Sequence, residues 1–363
     1  MKTRRSKTPA LRQLPSKRFA ATLFGVIAFL VAATLMFSSC SAADQEKAER
    51  QFFAMDTLMT ITAYGTDTET ALDKAVARTQ ELEKLFAPGM PTSDIYRLNH
   101  TQPTPQVVSP ETFAVAEQAQ SISAATQGAF DISIFPAVEA WGFDTGIYRV
   151  PPLAELDKLV ADIDYRRIDL DKTTSTIMLP ERMRIDMGGI AKGYTGDALS
   201  ALLQKEGVSS AVIDLGGNVS VVGTRPDKTP WKIGIKNPFD PSTHLATLSL
   251  KNGSVATTGT YERSFTDDAG RLYGHVLDTK TGCPVDTDLE SVSVVSPQAT
   301  RCDGFSTALF ALGLDRALDC WRADPSFEAV FVTKDKDIYV TEGLKDRFTC
   351  TESDTFTQSV VTR

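Results

Sequence analysis

RIDMGGIAKGYTGDALSALLQKEGVSSAVIDLGGNVSVVG, residues 184–223, changes its periodicity twice within forty residues. Arg184–Asp186 reads as a strand end, Gly188-Gly189 as a tight turn, and Lys192–Glu206 as an amphipathic helix stopping at Gly207. Two short β-rich runs follow, Ala211–Leu215 and Asn218–Gly223, with the pair Gly216-Gly217 between them as a hairpin turn. Downstream the strand pattern continues over Trp231–Ile235, Leu245–Lys251, Ser254–Thr257, Ser291–Ser296, Glu328–Thr333 and Asp337–Val340, with one helix over about Asp303–Trp321. Upstream, Phe52–Tyr64 alternates as one strand. Helices are expected over Glu69–Phe86, from Ser109 (a capping serine ahead of Pro110) to Thr126, and over Pro151–Val160, before a strand at Arg166–Leu170. Short strands without a regular strand–helix alternation predict an α+β fold rather than a doubly wound sheet. No G-x-G-x-x-G follows a strand and no G-x-x-x-x-G-K-[ST] is present, which excludes Rossmann and P-loop readings.

Composition is that of a globular protein: 363 residues, 42% hydrophobic and 23% charged, without collagen-like or disordered bias. The formal charge is −8, and residues 1–39 hold basic side chains (Lys2, Arg4, Arg5, Lys7, Arg12, Lys17, Arg18) but no acidic ones. The rest is therefore more acidic still, and non-specific nucleic-acid binding is not expected. That basic stretch runs into the apolar run Phe19–Phe37, then Ser38-Ser39-Cys40. The run is long enough to span a bilayer as an uncleaved anchor. Small residues directly before a cysteine also resemble a bacterial lipobox, which predicts a signal peptide over 1–39 and lipidation of Cys40. Phe37 stands where a lipobox usually has Leu, and Arg4-Arg5 lacks the apolar pair of a twin-arginine signal. Either way the body lies on the extracytoplasmic face of a membrane, periplasm or cell surface, behind a polar tether over 40–51. Four further cysteines, Cys283, Cys302, Cys320 and Cys350, allow three disulfide pairings. Their spacing matches no zinc motif, and three histidines in all disfavour a histidine-rich metal centre.

Several segments carry chemistry. Asp186-Met-Gly-Gly-Ile-Ala-Lys-Gly193 can wrap backbone amides around an anion at a helix N-terminus, with Lys192 adding a full charge. The plainer reading is a tight turn with a solvated lysine. Asp214-Leu-Gly-Gly-Asn218 is a second close backbone approach, or only a turn. Thr258-Gly-Thr-Tyr-Glu-Arg-Ser264 is a polar loop holding an aromatic and an ion pair, and His275 through Pro284 a turn-rich loop with one histidine. Asp303 and Thr307 lie four apart and share a helix face. Two such hard oxygens suit Mg²⁺ beside a phosphate, unless Asp303 is only an N-cap.

In order and texture these segments resemble the ApbE family of flavin transferases, which move FMN from FAD onto proteins. The matching stretches are Met55-Asp-Thr57, Ser93–Asn99, Thr126–Asp131, Trp141-Gly-Phe143, Asp186–Gly193, Leu215–Asn218, Tyr261–Arg263, His275–Pro284 and Asp303–Thr307, spanning about 52–345. The resemblance implies an ApbE-like fold, mainly antiparallel sheets with packed helices, as one domain over 52–350 with a C-terminal tail at 351–363. It assigns Met55, Ala129, Phe130 and Asp131 to the flavin and adenosine region, and Asp186 and Lys192 to contact with FAD. It gives Mg²⁺ to the Gly189 carbonyl with Asp303 and Thr307, though Ser306 is not separated from Thr307 at this level. His275, with its near-neutral pKa, is the candidate general base at the FAD site, and Asp303 its catalytic companion. Two departures stand out: Phe86–Ser93 lacks an aromatic that the family often places against the flavin, and Gly304-Phe305 replaces a small aliphatic pair.

The chemistry so implied is Mg-dependent phosphoryl transfer from FAD to a Ser or Thr hydroxyl, releasing AMP. The expected acceptor is a flavoprotein, either a subunit of a membrane redox complex or an extracytoplasmic reductase, with a Ser/Thr-Gly-Ala-Ser/Thr-like target. Rival readings are a Mg-dependent FAD pyrophosphatase giving FMN and AMP, and a non-catalytic FAD-binding lipoprotein. A substrate-binding lipoprotein of a transporter would need two α/β lobes, which the strand pattern does not supply.

Overall fold

Gly216 and Gly217 both sit at positive φ, 70° and 96°, and close the hairpin their sequence asks for. A Cβ on Gly216 would stand 2.3 Å from the Thr57 hydroxyl, so no larger residue fits that turn. The computed structural model describes residues 46–363. The expected signal peptide over 1–39, the expected lipidation site Cys40 and residues 40–45 of the expected tether lie outside the described residues.

From the N-terminal side, β1 (Lys47–Ala54) and β2 (Thr57–Tyr64) form a hairpin, followed by α1 (Thr68–Phe86) and α2 (Asp94–His100). Next come β3 (Gln106–Val107), α3 (Pro110–Ala125), α4 (Phe135–Trp141) and α5 (Leu153–Val160). β4 (Asp169–Asp171) and β5 (Thr176–Met178) join β3 in a small antiparallel sheet. α6 (Ala191–Lys205) leads into β6 (Ser210–Leu215) and β7 (Asn218–Gly223). The rest is β8 (Trp231–Asn237), β9 (Asp240–Leu250), β10 (Gly253–Gly259), β11 (Ser264–Thr266), β12 (Leu272–Gly274) and β13 (Leu289–Ser296), then the helix pair α7 (Ala299–Leu312) and α8 (Leu314–Ala323). β14 (Glu328–Thr333), β15 (Asp337–Thr341), β16 (Phe348–Cys350) and β17 (Thr357–Val361) complete the chain.

Nine strands make the central sheet in the order β1-β2-β6-β7-β10-β13-β14-β15-β17. Every pairing in it is antiparallel except β15 with β17. Alternation along its strands divides the apolar side chains between two cores. Ala256, Val294 and Phe331 face one side and pack with helix residues such as Phe305 and Trp321. Their neighbours Val255, Val295 and Val330 face the other and pack with Trp231, Ile233 and Leu248 of the three-stranded sheet β16-β9-β8. The α+β class follows, with antiparallel sheets and packed helices. Among the described residues no helix is long and apolar enough to cross a membrane.

Several elements differ from expectation. Phe52–Tyr64 is a hairpin, not one strand: Met55 and Asp56 both adopt positive φ, 47° and 59°, as a type I′ turn requires. The Met55 amide donates to Glu83 Oε1 at 2.6 Å, a tertiary bond that local sequence does not announce. Residues 47–51 of the expected tether are edge strand, because β1 pairs with β2 along its whole length. The expected C-terminal tail contains β17, which adds to the other edge of the sheet. Arg166–Leu170 divides into a 3₁₀ turn over Tyr165–Arg167 and the start of β4. The helix expected from Asp303 begins four residues earlier and breaks at Gly313 (φ 75°). Asp303 therefore lies in the second turn of α7 and is not an N-cap. Cys283, Cys302, Cys320 and Cys350 are all unpaired thiols. Burial pushes the Cys302 thiol well above its ordinary range.

Candidate functional site

The turn ahead of α6 is built by its own carboxylate. Asp186 accepts the Gly188 amide at 2.8 Å, and its own amide donates to the Ile132 carbonyl at 3.0 Å. The chain then turns into α6 with the Ile190 and Ala191 amides both on the Met187 carbonyl. Desolvation raises the Asp186 carboxyl above the usual range, against the pull of the Gly188 and Met187 amides and of Lys192.

Gly193 would ordinarily close the first helical turn by donating to the Gly189 carbonyl. Instead its amide donates to Asp303 Oδ2 at 2.8 Å, across to α7. The Gly189 carbonyl is thereby left without a protein donor among the described residues. A Cβ on Gly193 would stand 2.4 Å from the Ala299 carbonyl oxygen and 2.7 Å from Asp303 Cβ, so the crossing depends on glycine. Gly196 repeats the arrangement one turn on, against Ser220 and Ala299. The anion-wrapping expectation for Asp186–Gly193 included Gly193, whose amide instead serves the helix–helix contact.

Asp197 completes the strap. Its carboxylate accepts the Ala299 and Thr300 amides at 2.7 and 2.9 Å and the Thr300 hydroxyl at 2.6 Å, capping α7 from another helix. On α7 the small–large order of Gly304-Phe305 fits its surroundings. A Cβ on Gly304 would meet Ile122 at 2.6 Å, while Phe305 is fully buried with its ring 4.5 Å from that of Phe327. Ser306 is buried and shares a 2.9 Å hydroxyl contact with Thr258, whereas Thr307 borders the cleft.

A cavity of about 380 Å³ opens between these helices, the neighbouring ends of β7 and β10 and two loops, a size usual for small-molecule sites. Met55, Ala129, Phe130, Asp131, Asp186, Gly189, Lys192, His275, Asp303 and Thr307 all border it, so every candidate site residue of the domain meets in one place. They differ in availability. The Asp131 carboxylate is occupied by the Ser133 amide, the Ser133 hydroxyl and the Tyr165 amide, and it shapes the wall. Asp303 is 5% exposed, with Oδ2 on Gly193. In the His275 loop, Asp278 accepts the Lys280 amide and builds the turn, and Thr279 ties the loop to the Gly128 carbonyl at 2.7 Å. Glu262 and Arg263 border the cleft, but no salt bridge among the described residues joins them.

His275 has a defined tautomer. Its Nδ1 and its backbone amide both stand 3.0 Å from the Arg263 carbonyl, which can only accept, so Nδ1 carries the proton and Nε2 holds the lone pair. Desolvation, with Arg263 and Lys192 nearby, lowers its pKa to about 4. The imidazole is neutral at physiological pH.

Sequence reasoning missed Glu83, Asn218 as a wall residue, and Asp197. Asp197 is a helical acid with no partner within its own turn, the only hint that its partner lies elsewhere. An aromatic cluster lies behind one wall of the cleft and reaches it through Phe143. Phe143 stands 6.5 Å edge-on from His275 and 5.8 Å from Phe265, which stacks on Tyr148 at 4.8 Å and on Tyr273 at 5.3 Å.

Known proteins resemble this chain in sequence and in fold. Residues 55–331 match the ApbE family. The chain is similar to an FAD:protein FMN transferase of Klebsiella pneumoniae, 34% identical over 274 residues that cover 75% of this chain and 84% of the relative. It is also similar to an FAD:protein FMN transferase of Treponema pallidum, 31% identical and covering 76% and 81%. Among solved structures it resembles the ApbE protein of Thermotoga maritima, with a TM-score of 0.78, 28% identity, and coverage of 83% of this chain and 99% of that one. The apo flavinyl transferase ApbE of Pseudomonas stutzeri superposes with a TM-score of 0.72 at 26% identity, covering 80% and 92%.

Proposed function

Because this chain belongs to the ApbE family, we propose that its cleft binds FAD and transfers the FMN half to a hydroxyl of a protein acceptor, releasing AMP. The observation that carries this reading is the Gly193–Asp303 hydrogen bond. It frees the Gly189 carbonyl in the cleft that Asp303 and Thr307 also border, a set of hard oxygens that fits Mg²⁺. Bound there, Mg²⁺ would supply charge neutralisation at the diphosphate. Lys192 and the N-terminus of α6 would add fixed positive charge beside it. Met55, Ala129 and Phe130 would pack against the flavin and adenosine portions, and Asp186 would hold the turn that presents Lys192.

The reaction balances without an outside reactant. The acceptor Ser or Thr oxygen forms a bond to the phosphorus on the FMN side, and the bond from that phosphorus to the oxygen bridging to AMP breaks. His275 Nε2 takes the hydroxyl proton, with the Arg263 carbonyl holding the ring in place. A neutral imidazole with a fixed tautomer suits this step better than a charged one. Positioning and charge stabilisation supply most of the rate in transfers of this kind.

The reading extends to the cell. The basic, apolar and Ser38-Ser39-Cys40 pattern supports a lipid on Cys40 that holds the domain at the extracytoplasmic face of a bacterial membrane. The acceptor would be a redox flavoprotein exposed on that side. To test the reading, the full chain in detergent is incubated with FAD, Mg²⁺ and an acceptor domain, and intact masses are recorded. Acceptor mass rising by one FMN only with Mg²⁺ is the expected result. Free FMN and AMP beside unmodified acceptors would favour the pyrophosphatase instead, and FAD left whole would leave only a carrier.

A further inference from the structure

Asn218 is the first residue of β7, 8% exposed, and it borders the cleft. Its amide nitrogen Nδ2 is buried and has no hydrogen-bond acceptor among the described residues. Buried side-chain amides almost always find partners, and leaving one without an acceptor is costly. The local fold gives no reason to keep it, since the glycine turn before it is held by Asp214, whose Oδ1 accepts the Gly217 amide at 2.8 Å.

Its position tells what would satisfy it. After α6 the chain reverses into β6, so the far end of β6 returns to the start of the helix. Leu215 and Ser220 both lie against Gly196, one turn from Lys192. Asn218 pairs with Leu215 across the hairpin and therefore stands at the N-terminal end of α6. That end of the cleft gathers Lys192 and the Gly189 and Lys192 amides, which have no acceptor among the described residues. All of these are donors. The missing partner of Asn218 is thus an acceptor that binds at an amide-rich end where Lys192 stands beside Asp303 and the Gly189 carbonyl, the oxygens that would hold Mg²⁺, and among the parts of FAD only the diphosphate answers that description.

We infer that Asn218 is a binding residue for the diphosphate of FAD, its amide donating to a phosphate oxygen. The inference rests on the flavin-site reading above and adds to it a neutral donor that distinguishes the diphosphate from the ring system. A phosphate oxygen at this place would complete the hydrogen bonding of the Asn218 amide.

The test compares the full-length wild type in detergent with Asn218→Ala and the nearly isosteric Asn218→Asp. Dissociation constants for FAD, ADP and riboflavin are measured by flavin fluorescence or calorimetry, together with melting temperatures without ligand. For Asn218→Ala we expect FAD and ADP to weaken about tenfold. Riboflavin should change less than about twofold, and the ligand-free melting temperature should not fall. Asn218→Asp should weaken FAD further, because it sets a carboxylate beside the diphosphate. Unchanged FAD and ADP binding in both variants would overturn the inference. Riboflavin weakening as much as FAD would overturn it too, as would a ligand-free melting temperature several degrees lower, which marks a structural residue. A wild type that binds ADP and riboflavin but not FAD would count instead against the flavin-site reading itself.

Discussion

The two sides of the cleft are built by different physics. On one side polar bonds with single geometries strap α6 to α7, Gly193 to Asp303 and Asp197 to the start of α7, and tie β10 to α7 through Thr258 and Ser306. On the other, Phe143 lines the cleft and is backed by Tyr148, Phe265 and Tyr273 through rings 4.8–5.8 Å apart, and the adjoining segment leaves Ile147, Val150 and Leu153 exposed. Hydrogen bonds fix position to tenths of an ångström, whereas ring contacts tolerate sliding. The strapped side suits charge stabilisation, which fails when donors drift. The aromatic side suits a wall that must admit a second, larger substrate.

Substitutions should separate the two sides, and the largest effect belongs to the strap. Asp303→Ala removes a carboxylate from the cleft and strands the Gly193 amide. FMN incorporation measured by mass spectrometry should fall by about a thousandfold, with FAD binding weakened as well. A loss below tenfold would show that the strap does not serve chemistry. His275→Ala should cost roughly a hundredfold through loss of the proton acceptor.

The wild-type pH profile sharpens the same point. With its pKa lowered to about 4, His275 stays neutral down to mildly acidic pH. The transfer rate should then hold level from pH 8 to about 5 and decline only below that. An inflection near 6.5, the ordinary histidine value, would mean that a solvated imidazole does the work. Stability carries the matching sign. The unfolded chain binds this proton between about 4 and 6.5 while the native state does not, so folding stability rises with pH through that window. In His275→Gln that contribution should vanish from a series of urea melts.

Smaller effects test architecture. Gly193→Ala drives a methyl into the Ala299 carbonyl, and chemical denaturation should register a loss of about 2 kcal/mol. Phe265→Leu should cost only about 1 kcal/mol and leave transfer to a free small-molecule alcohol unchanged. Comparable damage to activity from Phe265→Leu and Gly193→Ala would erase the distinction between the two sides.

What the sequence disclosed follows the same division. Gly216-Gly217 sets its hairpin through φ, and the strands after 210 were legible from alternation, because both signals are local. The candidate site residues were legible as a set, since all but one of the family's segments reach the cleft, the exception being Ser93–Asn99. Phe52–Tyr64 misled, because Met55-Asp56 is not a usual hairpin pair and its turn depends on Glu83, 28 residues on. The start of α7 was misread because its cap, Asp197, lies about a hundred residues away. Asp278, within a chemically dense loop, turned out to be a turn former. Long-range hydrogen bonds leave no periodicity behind them, so these features were silent.

The amide of Gly193 also bears on how this family can diverge. One hydrogen bond ties a helix start, a helix crossing and a carboxylate of the cleft into a single unit. Asparagine at 303 would keep the contact but change the charge. Glutamate would keep the charge but push the helices apart, and any side chain at 193 would break both. Drift at either position alone is penalised twice, so the two should be inherited as a pair. A designer moving this cleft to another scaffold would have to carry both helices and their crossing, because no single loop contains it.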